Sequence, residues 1–104
     1  RISAEADVTS GDLRPPVHIA SGCFVEGRVG PHAVLGKGCR VGRAHVREAA
    51  LLESVSVDDK AEIFSSIIGA GAAIGEGAHV RDSILADGVQ VPPHATIVDE
   101  RVTA

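Results

Sequence analysis

The chain has 104 residues, a formal net charge of −4 and an apolar content of 44%. This length accommodates one domain and is too short for two ordinary ones. The apolar residues are almost all Val, Ile, Leu and Ala, with two Phe and no Trp, Tyr or Met, a composition that favours strands. Basic residues are scattered singly and stacking aromatics are scarce, so neither nucleic acid nor a membrane is an expected partner.

No apolar run is long enough to cross a bilayer, and the first residues lack the charged start and apolar stretch of a secretory signal. A cytoplasmic location is therefore expected. Cys23 and Cys39 are too few for a disulfide framework and their spacing matches no zinc motif, so small buried positions are favoured for both. A chain that starts at Arg1 without Met is expected to be a domain cut from a longer protein.

Three segments follow one another along the chain. Residues 1–16 are predicted to be a lead-in segment or linker, because Gly11 and the paired Pro15 and Pro16 disfavour a helix and mark a turn. Residues 17–98 carry a regular pattern of aliphatic residues. Residues 99–104 are predicted to form a C-terminal tail, whose charged residues would protect the open end of the pattern against further stacking.

The regular pattern repeats with a period of 17 from Val46 onward. Large aliphatic residues recur in steps of five, six and six, at positions 46, 51, 57, 63, 68, 74, 80, 85, 91 and 97. Val29, Leu35 and Val41 extend the series upstream in steps of six. Such a repeat fits neither the period of a helix nor the alternation of a long strand, but it fits a short strand followed by a corner.

A second inward position lies two residues before each large aliphatic residue, because side chains alternate along a strand. Small residues fill this position: Ala33, Cys39, Ala49, Ala61, Ser66, Ala72, Ala78, Ser83 and Ala95. Gly and Pro lie between the units and permit sharp corners. Three sides close one coil, and coils stack about 4.8 Å apart. The sequence therefore predicts an all-β solenoid, a triangular prism of about five coils over residues 17–98.

One outward column contains His45, Glu62, His79 and Thr96, which recur with the same period of 17. Two imidazoles with a carboxylate between them could bind a metal across subunits, whereas adjacent rungs could equally form an exposed charge ladder. The ladder is favoured, because a metal site needs a third convergent ligand and supporting residues around it. No catalytic residue and no metal ligand is therefore assigned to this chain.

The five-residue sides present apolar residues outward, where polar residues would be expected if water faced them. Contiguous exposed apolar surface usually marks contact with a partner. Phe64 is also a candidate for this contact surface. It falls between Arg47 and Arg81 in its column and could pack on their stems or join a contact. The alternative is that these are isolated surface aliphatics selected for strand propensity. The hypothetical interface consists of Leu52, Phe64, Ile67, Ile84 and Ala86.

Segments 29–42 and 63–75 resemble the left-handed β-helix of hexapeptide-repeat proteins. The left-handed sense comes from this resemblance alone, because the usual rule for parallel crossovers would give the opposite hand. The Ser-Ile-Ile side at 66–68, the Pro-Pro-Val-His-Ile entry at 15–19 and the ending at 87–97 look like the C-terminal domain of sugar-1-phosphate nucleotidylyltransferases, the NDP-sugar pyrophosphorylases.

The resemblance implies a division of labour in the full enzyme. In that family an N-terminal α/β domain binds the nucleotide and sugar phosphate and uses a divalent metal, usually magnesium, while the β-helix oligomerises or regulates. This chain has no Gly-rich phosphate loop between a strand and a helix. The resemblance thus implies a non-catalytic domain that contacts the catalytic domain, another copy of itself, or both.

Two alternatives to this function remain open. A stand-alone hexapeptide acyltransferase would form a trimer, with a coenzyme A groove and a His base between subunits, but the sequence lacks an extended His-bearing loop and a clear C-terminal helix. A scaffold with no enzyme attached is the other alternative.

Overall fold

The computed structural model describes Asp7 and residues 11–103 of the chain. Within these residues the secondary structure consists of short strands and turns, in a body of 33 × 21 × 19 Å. The strands are β1 (Asp12–Leu13), β2 (Val17–Ile19), β3 (Phe24–Val25), β4 (Arg28–Val29), β5 (Ala33–Leu35), β6 (Arg40–Val41), β7 (His45–Arg47), β8 (Ala50–Leu51), β9 (Ser56–Val57), β10 (Glu62–Phe64), β11 (Ile67–Ile68), β12 (Ala73–Ile74), β13 (His79–Arg81), β14 (Ile84–Leu85), β15 (Gln90–Val91), β16 (Thr96–Val98) and β17 (Arg101–Val102).

These strands form three parallel sheets, which are the three faces of a prism. The first face has the order β1-β4-β7-β10-β13-β16, the second β2-β5-β8-β11-β14-β17 and the third β3-β6-β9-β12-β15. Every third strand thus returns to the same face and pairs with its equivalent in the previous coil. This arrangement confirms the predicted all-β solenoid of about five coils.

Strand pairing reaches both ends of the described residues. β1 pairs with β4 on the first face, and β17 pairs with β14 on the second face. Asp7 forms an isolated parallel bridge with Phe24. The segments predicted as lead-in and tail therefore both contribute backbone to the prism, although residues 1–6, 8–10 and 104 lie outside the described part. The proposed boundaries at 17 and 98 stay a prediction.

The core is a stack of equivalent aliphatic side chains. Ile63 lies opposite Val46 and Val80, as the period of 17 predicts, and Ile63 and Ile68 are fully buried. Upstream of this region the period shortens by one on the second and third faces, where Leu35 pairs with Leu51 and Val41 with Val57. Burying one such side chain contributes about 1.5–3 kcal/mol, so the repeated stack is the main source of stability.

The small inward position is buried in every coil except the last. Its residues are Ala33, Cys39, Ala49, Ala61, Ser66, Ala72, Ala78 and Ser83, as predicted. Ala95 occupies the same position in the final coil and is only partly buried, because no later coil of the described residues covers it.

Two buried serines brace the five-residue corner between the first and second faces. Ser65 and Asp82 have positive φ angles of 52° and 50° there, which turn the chain sharply. The Ser66 hydroxyl donates to the Phe64 carbonyl at 2.8 Å and accepts from the Ser83 backbone N–H at 3.1 Å. Ser83 makes the equivalent bonds one coil further on. The serines therefore close the corner and join successive coils.

Ser66→Ala should lower the free energy of unfolding by about 1–3 kcal/mol, because it leaves the buried N–H of Ser83 without its acceptor. Urea denaturation followed by circular dichroism measures this loss. Ser56→Ala, an outward serine on the third face, is the matched control and should change the midpoint little. Equal midpoints for the two variants would contradict the bracing role of Ser66.

Candidate interaction surfaces

The second face carries an outward apolar column. Its rungs, paired in register from one end to the other, are His18, Val34, Ala50, Ile67, Ile84 and Arg101. Val34, Ile67 and Ile84 are exposed by 46%, 46% and 43%. They point outward because each precedes a buried aliphatic residue in its strand, and side chains alternate. The column is therefore continuous apolar surface over four rungs, between a histidine and an arginine.

A shallow groove runs beside this column. Val34, Ala50, Ile67 and Ile84 line one side of it, and the other side is the corner that carries His32, Glu48, Ser65 and Asp82. The corner is held in shape by a hydrogen bond that the Ser65 hydroxyl donates to the Glu48 carboxylate at 3.1 Å. The surface is thus apolar in its middle and polar along the corner.

The five residues of the hypothetical interface occupy two faces. Leu52, Ile67 and Ile84 are exposed on the second face, and Ala86 lies half-buried at the end of β14, packed against the core. Phe64 is different, because it belongs to β10 on the first face. The structure thus brings four of the five residues to one surface. Whether that surface binds a partner stays a prediction.

Phe64 lies in a column with two arginines, as the sequence predicted. It pairs in register with Arg47 on one side and Arg81 on the other. The guanidinium carbon of Arg47 lies 4.5 Å from the centroid of the Phe64 ring, which is a cation–π distance and contributes about 0.5–1 kcal/mol at an exposed site. The contact restricts the Arg47 side chain to the surface beside the ring.

Val34 is the interface candidate that sequence reasoning missed. The interface was predicted from the five-residue sides of the prism. Val34 lies on a six-residue side, between Val29 and Leu35, and was therefore not included. Val34 nevertheless immediately precedes an inward aliphatic residue, as Ile67 and Ile84 do. That position could have been read from the sequence.

The histidine column also has the predicted register, with His45, Glu62, His79 and Thr96 on successive rungs of the first face. His79 Nδ1 lies 3.8 Å from Glu62 Oε2, an ion-pair distance when the imidazole is protonated. Within the described part of the chain, no three His, Cys, Asp or Glu side chains converge as a metal site would require. The register places the Glu62 carboxylate between the two imidazoles on adjacent rungs, which is the arrangement of the predicted cross-strand ladder.

Both cysteines occupy buried positions, as predicted. Cys23 Sγ donates to the Gly36 carbonyl at 3.0 Å, and Cys39 Sγ donates to the Leu52 carbonyl at 2.9 Å. Burial raises the pKa of the Cys39 thiol to about 11. A thiol that stays protonated and buried is a poor nucleophile, so Cys39 is a packing residue.

The first face also gathers basic residues that sequence reasoning treated as scattered. Arg14, Arg28 and Arg47 line one pocket together with His45. The Asp12 carboxylate lies 3.1 Å from Arg14 Nη2 and 3.3 Å from Arg28 Nε. The hydrogen bond from Arg14, with its charge and that of Arg28, lowers the pKa of Asp12. The cluster arises only because the coils stack, since its arginines are far apart in sequence.

The chain has recognisable relatives. Residues 10–104 match the family model described as the GMPPB C-terminal domain. The chain belongs to this family. It is also similar to a glucose-1-phosphate adenylyltransferase of Corynebacterium jeikeium (strain K411), with 35% identity over 68 residues. That alignment covers 65% of this chain but only 17% of the relative, so the chain corresponds to a small part of that protein.

The family match and the parallel solenoid confirm the predicted identity of the chain, a C-terminal β-helix domain of a sugar-1-phosphate nucleotidylyltransferase. They also support the left-handed sense that the resemblance implied. Among the described residues of this member of the GMPPB C-terminal domain family, no helix has the length and apolar character needed to cross a membrane.

The Cys39 thiol should make the stability of the domain depend on alkaline pH. Its pKa rises from 9.0 to about 11 on folding, so the folded form holds this proton more tightly than the unfolded form. The resulting stabilisation is complete below pH 9 and is lost as the pH approaches 11. We expect a decline on the order of 2 kcal/mol, measured by urea unfolding across this range.

Cys39→Ala should remove most of this decline, since Ala fills the same inward position elsewhere in the prism. Cys23→Ala retains Cys39 and is the matched control; it should keep most of the decline, because burial is the largest cause of the raised pKa of Cys39 and the neighbouring Cys23 adds a smaller part. Lys37 and Lys60 are present in all three proteins, so the difference between variants isolates the thiol. A decline of the same size in Cys39→Ala would show that another group causes it.

Proposed function

We propose that this β-helix is a non-catalytic assembly or regulatory domain of its parent enzyme. The whole protein would join a nucleoside triphosphate to a sugar 1-phosphate and release pyrophosphate. The observation that carries the assembly role is the outward apolar column on the second face, with Val34, Ile67 and Ile84 each more than two-fifths exposed. Leu52 adds a further 44% exposed side chain beside it.

The second face differs from the other two in its outward residues. The third face presents Phe24, Arg40, Ser56, Ala73 and Gln90. The first face presents two outward columns, one with Arg28, His45, Glu62, His79 and Thr96 and the other with Arg47, Phe64, Arg81 and Val98. Among the residues that the structure describes, large aliphatic side chains occupy outward rungs repeatedly only on the second face. Burying one large aliphatic side chain stabilises a contact by about 1.5–3 kcal/mol before entropic costs. A partner that covers this face would therefore gain substantially.

The partner in this proposal is the catalytic α/β domain of the same protein, another copy of the β-helix, or both. The adenylyltransferase relative supports a further domain, because most of its length lies outside the aligned region. The rigid prism suits a docking role. Hydrogen bonds between parallel strands join each coil to its neighbours and hold the apolar column in a fixed line.

Magnesium would belong to the catalytic domain in this proposal. The described residues of the β-helix offer no group of three or more metal-binding side chains, and no step of the chemistry is assigned to them. A cytoplasmic location and the absence of nucleic acid and membrane partners complete the proposal.

The double variant Leu52→Glu with Ile84→Glu should disrupt docking through the second face, because it places two carboxylates in the apolar contact. We expect the oligomeric state of the isolated domain, or its association with the catalytic domain in the full enzyme, to change while the prism stays folded. Light scattering measures the mass, and circular dichroism with thermal unfolding measures the fold.

The matched control is Ser56→Glu with Gln90→Glu, which adds the same charge to two outward positions of the third face. This control should leave association unchanged. If the Leu52 and Ile84 variant associates normally, or loses its fold, the second face is not the docking surface.

The isolated domain should show no nucleotidyl transfer. Incubation with magnesium, a sugar 1-phosphate and each nucleoside triphosphate should release no pyrophosphate above the enzyme-free rate, whereas the full-length parent should release it. Detectable turnover by the isolated domain would overturn the non-catalytic assignment.

A further inference from the structure

The pocket on the first face lies where one rung of a column has no side chain. Arg14 follows the inward Leu13, Gly30 follows Val29 and Arg47 follows Val46, and these inward residues pair in register. Arg14 and Arg47 are therefore two rungs apart, about 9.6 Å along the prism, with Gly30 between them. A Cβ at Gly30 would collide with the Arg14 carbonyl, so this rung requires glycine and places no side chain between the two arginines.

The adjacent column contributes more donors to the same pocket. Arg28 and His45 occupy consecutive rungs there and pair in register, and both line the pocket with Arg14 and Arg47. Three guanidinium groups and one imidazole thus surround one space. The Asp12 carboxylate contacts Arg14 and Arg28, and the three guanidinium groups outweigh it, so the charge of this cluster is positive although the chain is acidic overall.

Arg47 is the group best prepared to bind a ligand. Its guanidinium carbon lies over the Phe64 ring, 4.5 Å from the centroid, and this cation–π contact restricts the side chain. No carboxylate pairs with Arg47 among the described residues. A guanidinium edge matches two oxygens of a phosphate group.

Another anion can easily displace Asp12 from its ion pairs with Arg14 and Arg28. Their side chains are about half exposed, at 51% for Asp12, 57% for Arg14 and 51% for Arg28, and exposed ion pairs of this kind contribute little stability. Asp12 therefore partly neutralises the cluster while leaving both arginines accessible to another anion. Its removal should make the cluster more attractive to that anion.

The geometry points to an anion site between Arg14, Arg28, His45 and Arg47 that binds a phosphate group, either free or carried by a small molecule. Pro31 and Phe64 also line the pocket and supply apolar surface beside the basic groups. A compact phosphorylated molecule with a nonpolar face fits this combination. The site is on the first face and does not depend on docking through the second face.

The test is isothermal titration calorimetry of the 104-residue chain at low ionic strength with inorganic phosphate, pyrophosphate, glucose 1-phosphate and glucose. Saturable binding of at least one phosphate-bearing ligand, but not of glucose, is expected. Binding of free phosphate would show that the phosphate group suffices, whereas binding of glucose 1-phosphate alone would show that the apolar surface contributes.

Variants locate the binding. Arg47→Gln should weaken it by about tenfold or more, as expected for the loss of one charge-assisted pair, and Asp12→Asn should strengthen it severalfold by removing the competing carboxylate. Arg40→Gln, on the third face, removes the same charge elsewhere and should reduce affinity less than twofold. Arg28→Gln gives a second loss variant if Arg47→Gln does not fold.

Three results would overturn the site. The first is that no phosphate-bearing ligand binds saturably. The second is that Arg40→Gln loses as much affinity as the arginine variants of the pocket. The third is that the Asp12→Asn protein binds no more tightly than the original. None of these results bears on the docking face, because Leu52 and Ile84 are unchanged in every variant.

Discussion

The whole structure depends on the hydrogen bonds that each coil makes to the next. Strands of two or three residues are not stable alone, and here each is paired on both sides except at the ends of the prism. The Ile67 N–H, for example, donates to the Ser83 carbonyl at 3.0 Å. Because coils are held at a fixed spacing, each inward side chain stacks on its equivalent, as Leu51, Ile68 and Leu85 do. A prism of this width accommodates aliphatic residues, which accounts for the scarcity of aromatics.

The same stacking converts the surface into columns, and the columns give the faces different chemistry. Outward residues one coil apart in sequence become neighbours about 4.8 Å apart in space, so a weak preference in one coil becomes continuous surface when repeated. Val34, Ile67 and Ile84 form an apolar line in this way, and Arg28 and His45 form part of a basic one. A docking surface and an anion site can therefore lie on adjacent faces of a small domain without sharing residues.

The interior was more predictable from sequence than the corners. Inward positions such as Ile63 and Ile68 follow from the repeat, because a buried column tolerates only aliphatic residues. The small size of Ser66 was also predictable, but its hydrogen bonds were not, since they depend on the positive φ angle at Ser65 that aims the hydroxyl at the Phe64 carbonyl. Handedness was not predictable either, because the spacing of a triangular coil is the same for both hands.

The basic pocket was hidden by a change in the repeat. From Val29 onward, partners on the first face keep the period of 17, but the pairing of Leu13 with Val29 is shorter by one. A search at a period of 17 therefore places Arg14 beside Pro31, not in the column of Gly30 and Arg47. Allowing the first coil to be one residue shorter moves Arg14 into that column, so that it joins Arg28 and Arg47 around the same glycine. In a solenoid, one residue more or fewer in a coil changes which outward residues become neighbours in the next coil. Sites of this kind can therefore be found in the sequence only when the length of each coil is determined separately.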